Sequence, residues 1–426
     1  MGSLRTGGAV SSVNSITRAD CRLCHATTLE PVVRLTPTPP ANALVPPEHA
    51  DLPTPTFPLD VYLCRSCGHA QLLDVVPASD LFGDYRYLTG ASPSLVRYAE
   101  EYADAVLSVT GAGPGASVLE IGSNDGTQLA AFARRGLRVV GVDPAPRPVA
   151  AANERGVPSV LGFFGAGLRD RLEPSVPFDL VVANNVMAHI DDLDAVTGLV
   201  AELLSPDGTF VVEVGYLADV LAGTLFDVIY HEHLAYHSVG PFTEFFRRHG
   251  LTVTRVQRSR MQGGSIRLYV RPSRSAGQPD GSVAELIAAE RAHGLTEPAA
   301  FAAFSARIDR LRTEVRELVL PMAETGERIW GYGAAAKATT LLYHFGLGEI
   351  IETVVDDNPI KQGLLTPGHH IPVVSPQRLY DARPERVFVF AWNYLDHIER
   401  THSGYLAGGG SLIVPLPTLS VVAGGR

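Results

Sequence analysis

Apolar residues recur along this chain in two rhythms. Short, nearly continuous apolar runs fall at 117–121, 137–142, 178–183 and 209–214, rich in Val, Leu and Ile. Runs of that length and content suit strands buried on both faces of a parallel sheet. Between them apolar positions return at helical spacing, as in Leu129-Ala130-Ala131-Phe132-Ala133, and a helix over 95–107 leads into the first run. Strand and helix in alternation predict an α/β fold with helices on both faces of the sheet. A second such rhythm opens at Ile329-Trp330-Gly331-Tyr332, passes through a Gly turn into a helix, and returns as a strand over 351–355. Residues 282–320 read as two helices between the α/β units, behind a Ser-, Gly- and Pro-rich boundary at 272–282.

Ahead of the first unit the pattern changes. Residues 1–20 are small and polar, and a flexible tail is expected there. All four cysteines follow, as Cys21-x-x-Cys24 and Cys64-x-x-Cys67. Two thiolates two residues apart chelate one ion from a tight knuckle, and two such pairs complete a closed tetrahedral zinc site, structural because no position is open. Disulfides or a redox pair fit less well, since no βαβ pattern surrounds the pairs. The Pro-rich stretch 36–42 cannot be regular helix and reads as an ordered loop of this module. After the second pair, the stretch 82–90 is aromatic and polar together. Tyr85 and Tyr87 are candidates to wall or contact a substrate, with plain packing as the competing reading.

The chain has 426 residues, 46% of them hydrophobic, and a net charge of −10, enough for two or three domains with sizeable cores. That balance argues against nucleic acid as a partner. No apolar run approaches the ~20 residues of a membrane helix, and no signal-peptide core precedes the cysteines. A cytoplasmic enzyme, without membrane or nucleic-acid partners, is expected.

The first α/β unit carries Glu120-Ile121-Gly122-Ser123-Asn124-Asp125-Gly126 at the end of its first strand, and Asp143 at the end of its second. Glycines in such a loop let a ligand approach the backbone closely, and an acid ending the second strand can accept ribose hydroxyls. The loop is neither GxGxxG nor a Walker loop. Instead it resembles that of class I S-adenosylmethionine (SAM) methyltransferases. The resemblance makes Glu120, Gly122, Asn124, Asp125, Asp143 and the strand-ending Asn184 and Asn185 candidate cofactor contacts.

The stretch Asp227-Val228-Ile229-Tyr230-His231-Glu232-His233-Leu234-Ala235-Tyr236-His237 is too polar for core. Histidine is poised to move protons near neutral pH, a carboxylate can orient it, and tyrosine can donate to an oxyanion. His-Glu-His as a metal site or as a solvated surface loop are the competing readings, and the former lacks H-E-x-x-H spacing. His189, after the fourth strand, is either a site residue or a satisfied helix histidine. A histidine base beside a SAM loop suits carbon methylation next to a ketone, where a C–H proton must first be removed. Methylation of a sugar hydroxyl, or a non-catalytic SAM-binding protein, are the alternatives.

In the second unit, Gly331-Tyr332-Gly333-Ala334-Ala335-Ala336-Lys337 opens a helix, and Asp356-Asp357-Asn358-Pro359-Ile360-Lys361 ends the next strand. A lysine in a first helical turn opposes the helix dipole unless an anion lies near. A nucleotide diphosphate is therefore preferred over NAD(P), because the third glycine is missing.

Four motifs in order, C-x-x-C…C-x-x-C-G-H, E-I-G-S-N-D-G, Y-H-E-H and G-Y-G-A-A-A-K-A-T with D-D-N-P-I-K-Q-G, cover nearly the whole chain from Cys21. They resemble the bacterial sugar C-methyltransferases of deoxysugar and antibiotic biosynthesis, which act on TDP-4-keto-deoxyhexoses at C3 or C5. The resemblance implies SAM as cofactor, structural Zn2+ and a TDP-sugar substrate; a monomer is expected. It divides the chain into a tail (1–20), a zinc-binding module (21–90), a SAM-dependent methyltransferase domain (91–281), a helical connector (282–320) and a Rossmann-like nucleotide-sugar-binding domain (321–426). It also implies that a histidine of Y-H-E-H is the base. By position this is His233, with Glu232 orienting it or shaping the site, and with His231 as the other candidate. Tyr230 and Tyr87 complete the catalytic set, and Tyr85, His189, Gly264, Tyr332, Lys337, Asn358 and Lys361 are the expected substrate contacts.

Overall fold

The computed structural model describes residues 15–83, 88–172 and 177–424. Seven strands form the central sheet, in the order Leu251–Ser259, Ser265–Pro272, Leu204–Gly215, Phe178–Asn184, Ser117–Ile121, Arg138–Asp143 and Ser159–Leu161. Ser265–Pro272 runs antiparallel to both neighbours, and the other adjacent pairs are parallel. Every residue of Ser117–Ile121 is buried, as the middle of a doubly covered sheet demands. The direction of winding reverses between this strand and Phe178–Asn184, which opens a crevice at their carboxyl ends. Helix Pro93–Thr110 covers one face, packing Tyr102, Ala103 and Val106 with Phe132 and Leu180. Gly111, at φ 71°, closes that helix in the left-handed conformation that favours glycine.

The cysteine module is a four-stranded antiparallel sheet in the order Ala235–Tyr236, Ala70–Leu72, Val61–Cys64, Leu29–Val33. Its edge strand Ala235–Tyr236 comes from the end of the histidine-rich stretch, so that stretch is fixed to the module at one end. The described part of the expected tail is not loose. Ile16–Thr17 pairs with Asp74–Val75, and Arg18 forms ion pairs with Asp20 and Asp191.

Helix Pro298–Glu324 buries Phe301, Phe304, Ile308, Leu311, Val315 and Val319 along one face, at the three- and four-residue spacing of a helical stripe. The last sheet has the order Val373–Val374, Ile351–Val355, Ile329–Tyr332, Arg386–Val389, Ser411–Val414, Ser420–Ala423, with its final strand antiparallel. Numbered along the chain this is 3-2-1-4-5-6, the order of dinucleotide-binding sheets. One apolar core runs through Leu63, Leu221, Phe226, Ile308, Leu341 and Phe345, so the cysteine module, the methyltransferase unit and the C-terminal unit pack as one body. Among the described residues no helix is long and apolar enough to cross a membrane.

Candidate active site

The four cysteine sulfurs lie within 4.8 Å of one another. Cys21 Sγ is 3.6 Å from Cys67 Sγ, and Cys24 Sγ is 3.5 Å from Cys64 Sγ. A tetrahedral zinc with ~2.3 Å Zn–S bonds sets its sulfurs about 3.8 Å apart, so the cage fits that ion closely. Gly68 shapes the second knuckle at φ 77°, and a Cβ there would meet Thr296 at 2.3 Å. Among the described residues these cysteines are the group able to hold a metal, and His231-Glu232-His233 is not one.

At the sheet crevice, Gly122 (φ 70°) and Gly126 (φ 72°) turn the loop, and a Cβ on Gly122 would meet Val186 at 3.0 Å. Asp143 holds the loop, accepting from Asn124 N and Ala145 N at 2.9 Å each. Asn185 adopts φ 54°, and its N–H donates to Glu213 O at 2.7 Å. Asn184 donates to Gln128 Oε1 at 2.6 Å, and Gln128 donates to Glu120 Oε1 at 2.8 Å. Glu120 Oε2 and Asn184 Oδ1 are buried without a partner among the described residues. Burial, with the charges of Asp143 and Asp125, pushes the Glu120 carboxyl well above its ordinary range. A carboxyl pushed toward its neutral form by burial and neighbouring acids is returned to the carboxylate by a cationic ligand that carries hydroxyl and ammonium donors, as SAM does.

Asp125 departs from expectation. Its side chain is fully buried, and it accepts from Thr127 Oγ1 (2.7 Å), from Gly90 N (2.9 Å) and from Arg155 (3.2 Å). Asn124 Oδ1 likewise takes Thr89 N at 2.8 Å. These two side chains clasp residues 89–90 onto the cofactor loop. Tyr85 and Tyr87 lie outside the described residues.

The histidine-rich stretch runs along the mouth of this crevice. His189 sits in the turn Met187–His189, just beyond Asn184 and Asn185, and its ring stacks on His233 with centroids 5.0 Å apart. His233 Nδ1 is 2.7 Å from Val228 O. A carbonyl can only accept, so the proton is on Nδ1 and Nε2 keeps its lone pair. That lone pair faces the Tyr230 hydroxyl at 2.9 Å. Burial lowers His233 to about 4 and His189 to about 3, so both rings are neutral at pH 7.

Glu232 does not orient His233. Both of its oxygens accept from the Asn42 amide, at 2.7 and 3.0 Å, and the Val228 carbonyl holds the histidine instead. His231 also turns elsewhere. It is fully buried against Phe57 of the cysteine module, with Nε2 donating to Phe57 O at 3.3 Å. The chain turns at 231–232, with His233 N donating to Tyr230 O at 2.8 Å, and this turn sends the two rings to different partners.

The C-terminal unit contributes less of its Gly-rich loop than expected. Asp356 accepts from Ala334 N and Asn358 N, both at 2.8 Å. Lys361 Nζ donates to Ala334 O at 2.9 Å, and Asn358 Oδ1 accepts from Ile360 N at 3.1 Å. The Tyr332 hydroxyl donates to Asp357 at 2.8 Å and lies 2.8 Å from His402 Nε2. Tyr332, Asn358 and Lys361, expected at the substrate, therefore brace the loop and its surroundings. Gly264 packs on Asp219, where a Cβ would meet Oδ2 at 2.2 Å. Lys337, by contrast, faces the histidine-rich stretch, 3.9 Å from Asp227 Oδ2, and Trp392 Nε1 donates to the same oxygen at 2.6 Å.

Sequence reading missed Gln128, Asn42, Asp227 and Trp392 as site residues. Gln128 and Asp227 had a signal, being polar positions in otherwise apolar surroundings. Asn42 and Trp392 had none, because their partners lie 190 and 165 residues away.

The sheet order and the acidic Gly loop define a class I SAM-dependent methyltransferase. Family models agree: "Methyltransferase domain" matches residues 95–256, "Putative zinc binding domain" residues 21–82, and "C-methyltransferase C-terminal domain" residues 260–417. C-methyltransferase NovU of Streptomyces niveus is 36% identical over 95% of this chain and 97% of its own. The chain belongs to this family of SAM-dependent C-methyltransferases with a zinc-binding module. Ubiquinone biosynthesis O-methyltransferase of Bradyrhizobium sp. (strain ORS 278) is 36% identical over 23% of this chain and 39% of its own. Magnesium protoporphyrin IX methyltransferase of Synechocystis PCC 6803 with bound SAH covers 44% of this chain and 90% of its own, at 17% identity and a TM-score of 0.33.

Proposed function

We propose that this enzyme methylates C3, or C5, of a TDP-4-keto-deoxyhexose through an enolate, with His233 as the base. The observation that carries the reading is the His233 ring: neutral, fixed through Nδ1–H, with Nε2 on the Tyr230 hydroxyl and its face on His189, just beyond the end of strand Phe178–Asn184. A C–H next to a ketone is acidic enough for such a base. Entry of that C–H against Nε2 displaces the Tyr230 hydroxyl, which then donates to the enolate oxygen. His189 packs behind the ring and keeps it in place. SAM supplies the electrophilic methyl. The protein's part is to hold both reactants in line, and positioning of that kind carries much of a two-substrate rate. The TDP-sugar is bound where the cysteine module, the methyltransferase sheet and the C-terminal unit meet.

The test is His233→Asn with SAM and a TDP-4-keto-2,6-dideoxyhexose. Methyl transfer is expected to fall by about 10²–10⁴, with the Kd for SAM unchanged. Wild type is expected to place one methyl on a carbon beside the ketone, read by carbon NMR. A His233→Asn enzyme that turns over normally refutes the base assignment, and a methyl on oxygen refutes the enolate.

A further inference from the structure

We propose that Lys337 is a catalytic residue, whose ammonium donates a hydrogen bond to the ketone oxygen as charge gathers there. This rests on the enolate reading above. The lysine reaches the site because one face of helix Ala336–Phe345 lies along residues 226–233. Thr340 Oγ1 donates to Ile229 O at 2.8 Å, and the His344 ring is 5.3 Å from that of Phe226. Lys337, Thr340 and His344 stand at i, i+3 and i+7, the spacing of one helical face.

At the end of that face the Lys337 amine is buried, yet among the described residues no acceptor lies within hydrogen-bond distance of Nζ. Asp227 Oδ2 is 3.9 Å away, and the Trp392 ring centroid is 5.1 Å away. Three N–H donors are thus held in a desolvated place by a carboxylate and an aromatic face, with none of them used. Burying an ammonium this way is unfavourable unless something with an oxygen joins it. Asp227 Oδ2 is engaged by the Trp392 indole, so the carboxylate balances the charge without consuming the lysine's donors. Asp227 is next in sequence to Val228, whose carbonyl fixes the His233 ring. The amine and the base are therefore mounted on the same short segment. The positive charge of Lys337 is felt at His233, where it adds to burial in keeping the ring neutral.

A diphosphate at the Gly-rich loop would be the other use for this amine. The loop does not favour it, because Gly333 N donates to Val355 O at 2.7 Å and Ala334 N is taken by Asp356.

The C–H bond breaks and its proton goes to His233 Nε2. The electron pair forms a C=C bond while the carbonyl π pair moves to oxygen, where Lys337 and Tyr230 donate. The enolate carbon then takes the methyl as the S–CH3 bond breaks. The ketone re-forms, S-adenosylhomocysteine leaves, and the proton on His233 passes to water.

The experiment uses the full-length zinc-loaded enzyme, Lys337→Met and Lys337→Arg, a TDP-4-keto-2,6-dideoxyhexose and SAM. It reads kcat and KM for each, and deuterium uptake at the acidic carbon in heavy water with S-adenosylhomocysteine in place of SAM. Loss of one oxyanion donor is expected to lower kcat and the exchange rate of Lys337→Met by about 100-fold, with KM for the sugar nucleotide within about threefold of wild type. Lys337→Arg, which keeps the charge but moves the donors, is expected to retain intermediate exchange. If Lys337→Met fails to fold by circular dichroism, the arginine variant decides alone: a kcat and exchange rate equal to wild type overturn the proposal. So does a Lys337→Met enzyme with a raised KM and an intact kcat, which would make Lys337 a diphosphate ligand. A wild type that neither exchanges nor methylates overturns the enolate reading itself, and this role with it. A wild type that does both beside an unaffected Lys337→Met overturns the lysine's role alone.

Discussion

Glu232 makes the stability of this enzyme depend on pH in a direction opposite to that of most carboxylates. The side chain is 3% exposed and both oxygens face the Asn42 amide. Burial raises it from 4.5 to about 7, against the opposing effect of that amide. Between those values the folded protein holds a proton that the unfolded chain releases. Stability from this group is therefore full below pH 4.5 and is lost as pH rises through 7. At about 1.36 kcal/mol per pH unit the whole effect is about 3.4 kcal/mol, of which about 2.5 kcal/mol falls between pH 5 and 8. Glu232→Gln is neutral at every pH and nearly the same shape, so it removes the titration and keeps an acceptor for Asn42. Urea unfolding of both proteins, followed by far-ultraviolet circular dichroism at half-unit steps of pH, isolates the effect. Other titrations, including those of the zinc thiolates and the buried histidines, cancel in the difference. The variant is expected to gain about 2.5 kcal/mol on wild type from pH 5 to pH 8. Parallel stability curves would refute the reasoning, and with it the picture of a protonated Glu232 on Asn42.

Two further outcomes follow from the same contacts. Cys64→Ser is expected to lower bound zinc from one per chain to none by elemental analysis, because three thiolates leave the cage open, and to abolish methyl transfer by loosening Asn42 and the Ala235–Tyr236 edge. Retained turnover without metal would detach the module from the site. Asp143→Ala removes the acceptor of Asn124 N and Ala145 N. Its Kd for SAM, by calorimetry, is expected to rise at least about tenfold, on the scale of 1–3 kcal/mol for orphaned buried donors. An unchanged Kd would place the cofactor elsewhere.

What could be read from the sequence was whatever depends on local pattern. The buried strands announce themselves as apolar runs, and the zinc cage as paired C-x-x-C. Roles that depend on where a side chain points did not. An acid in a Gly loop is equally compatible with holding a ligand and with clasping the chain, and Asp125 does the latter, through Gly90 and Arg155. His231 and His233 differ by two positions in a string of polar residues, yet one faces Phe57 and the other Tyr230. Nothing local distinguishes them, because Phe57 lies 174 residues away. The partner of Glu232 was hidden for the same reason.

The C-terminal sheet shows how the loop residues of a familiar strand order can be engaged by the chain itself. Its order is that of a dinucleotide-binding fold, and Asp356 ends the second strand where such folds hold a ribose. Here Asp356 accepts from Ala334 N and Asn358 N instead, with Lys361 stapled across the turn. The missing Cβ of Gly333 makes room for Ala391, whose own Cβ lies 2.6 Å from that point, rather than for a pyrophosphate. The unit offers its first helix and Trp392 to the rest of the molecule. Both are set against residues 226–233, Thr340 on Ile229 and Trp392 on Asp227. The unit is thus fastened to the segment that carries His233, and the role proposed for Lys337 lies at that seam.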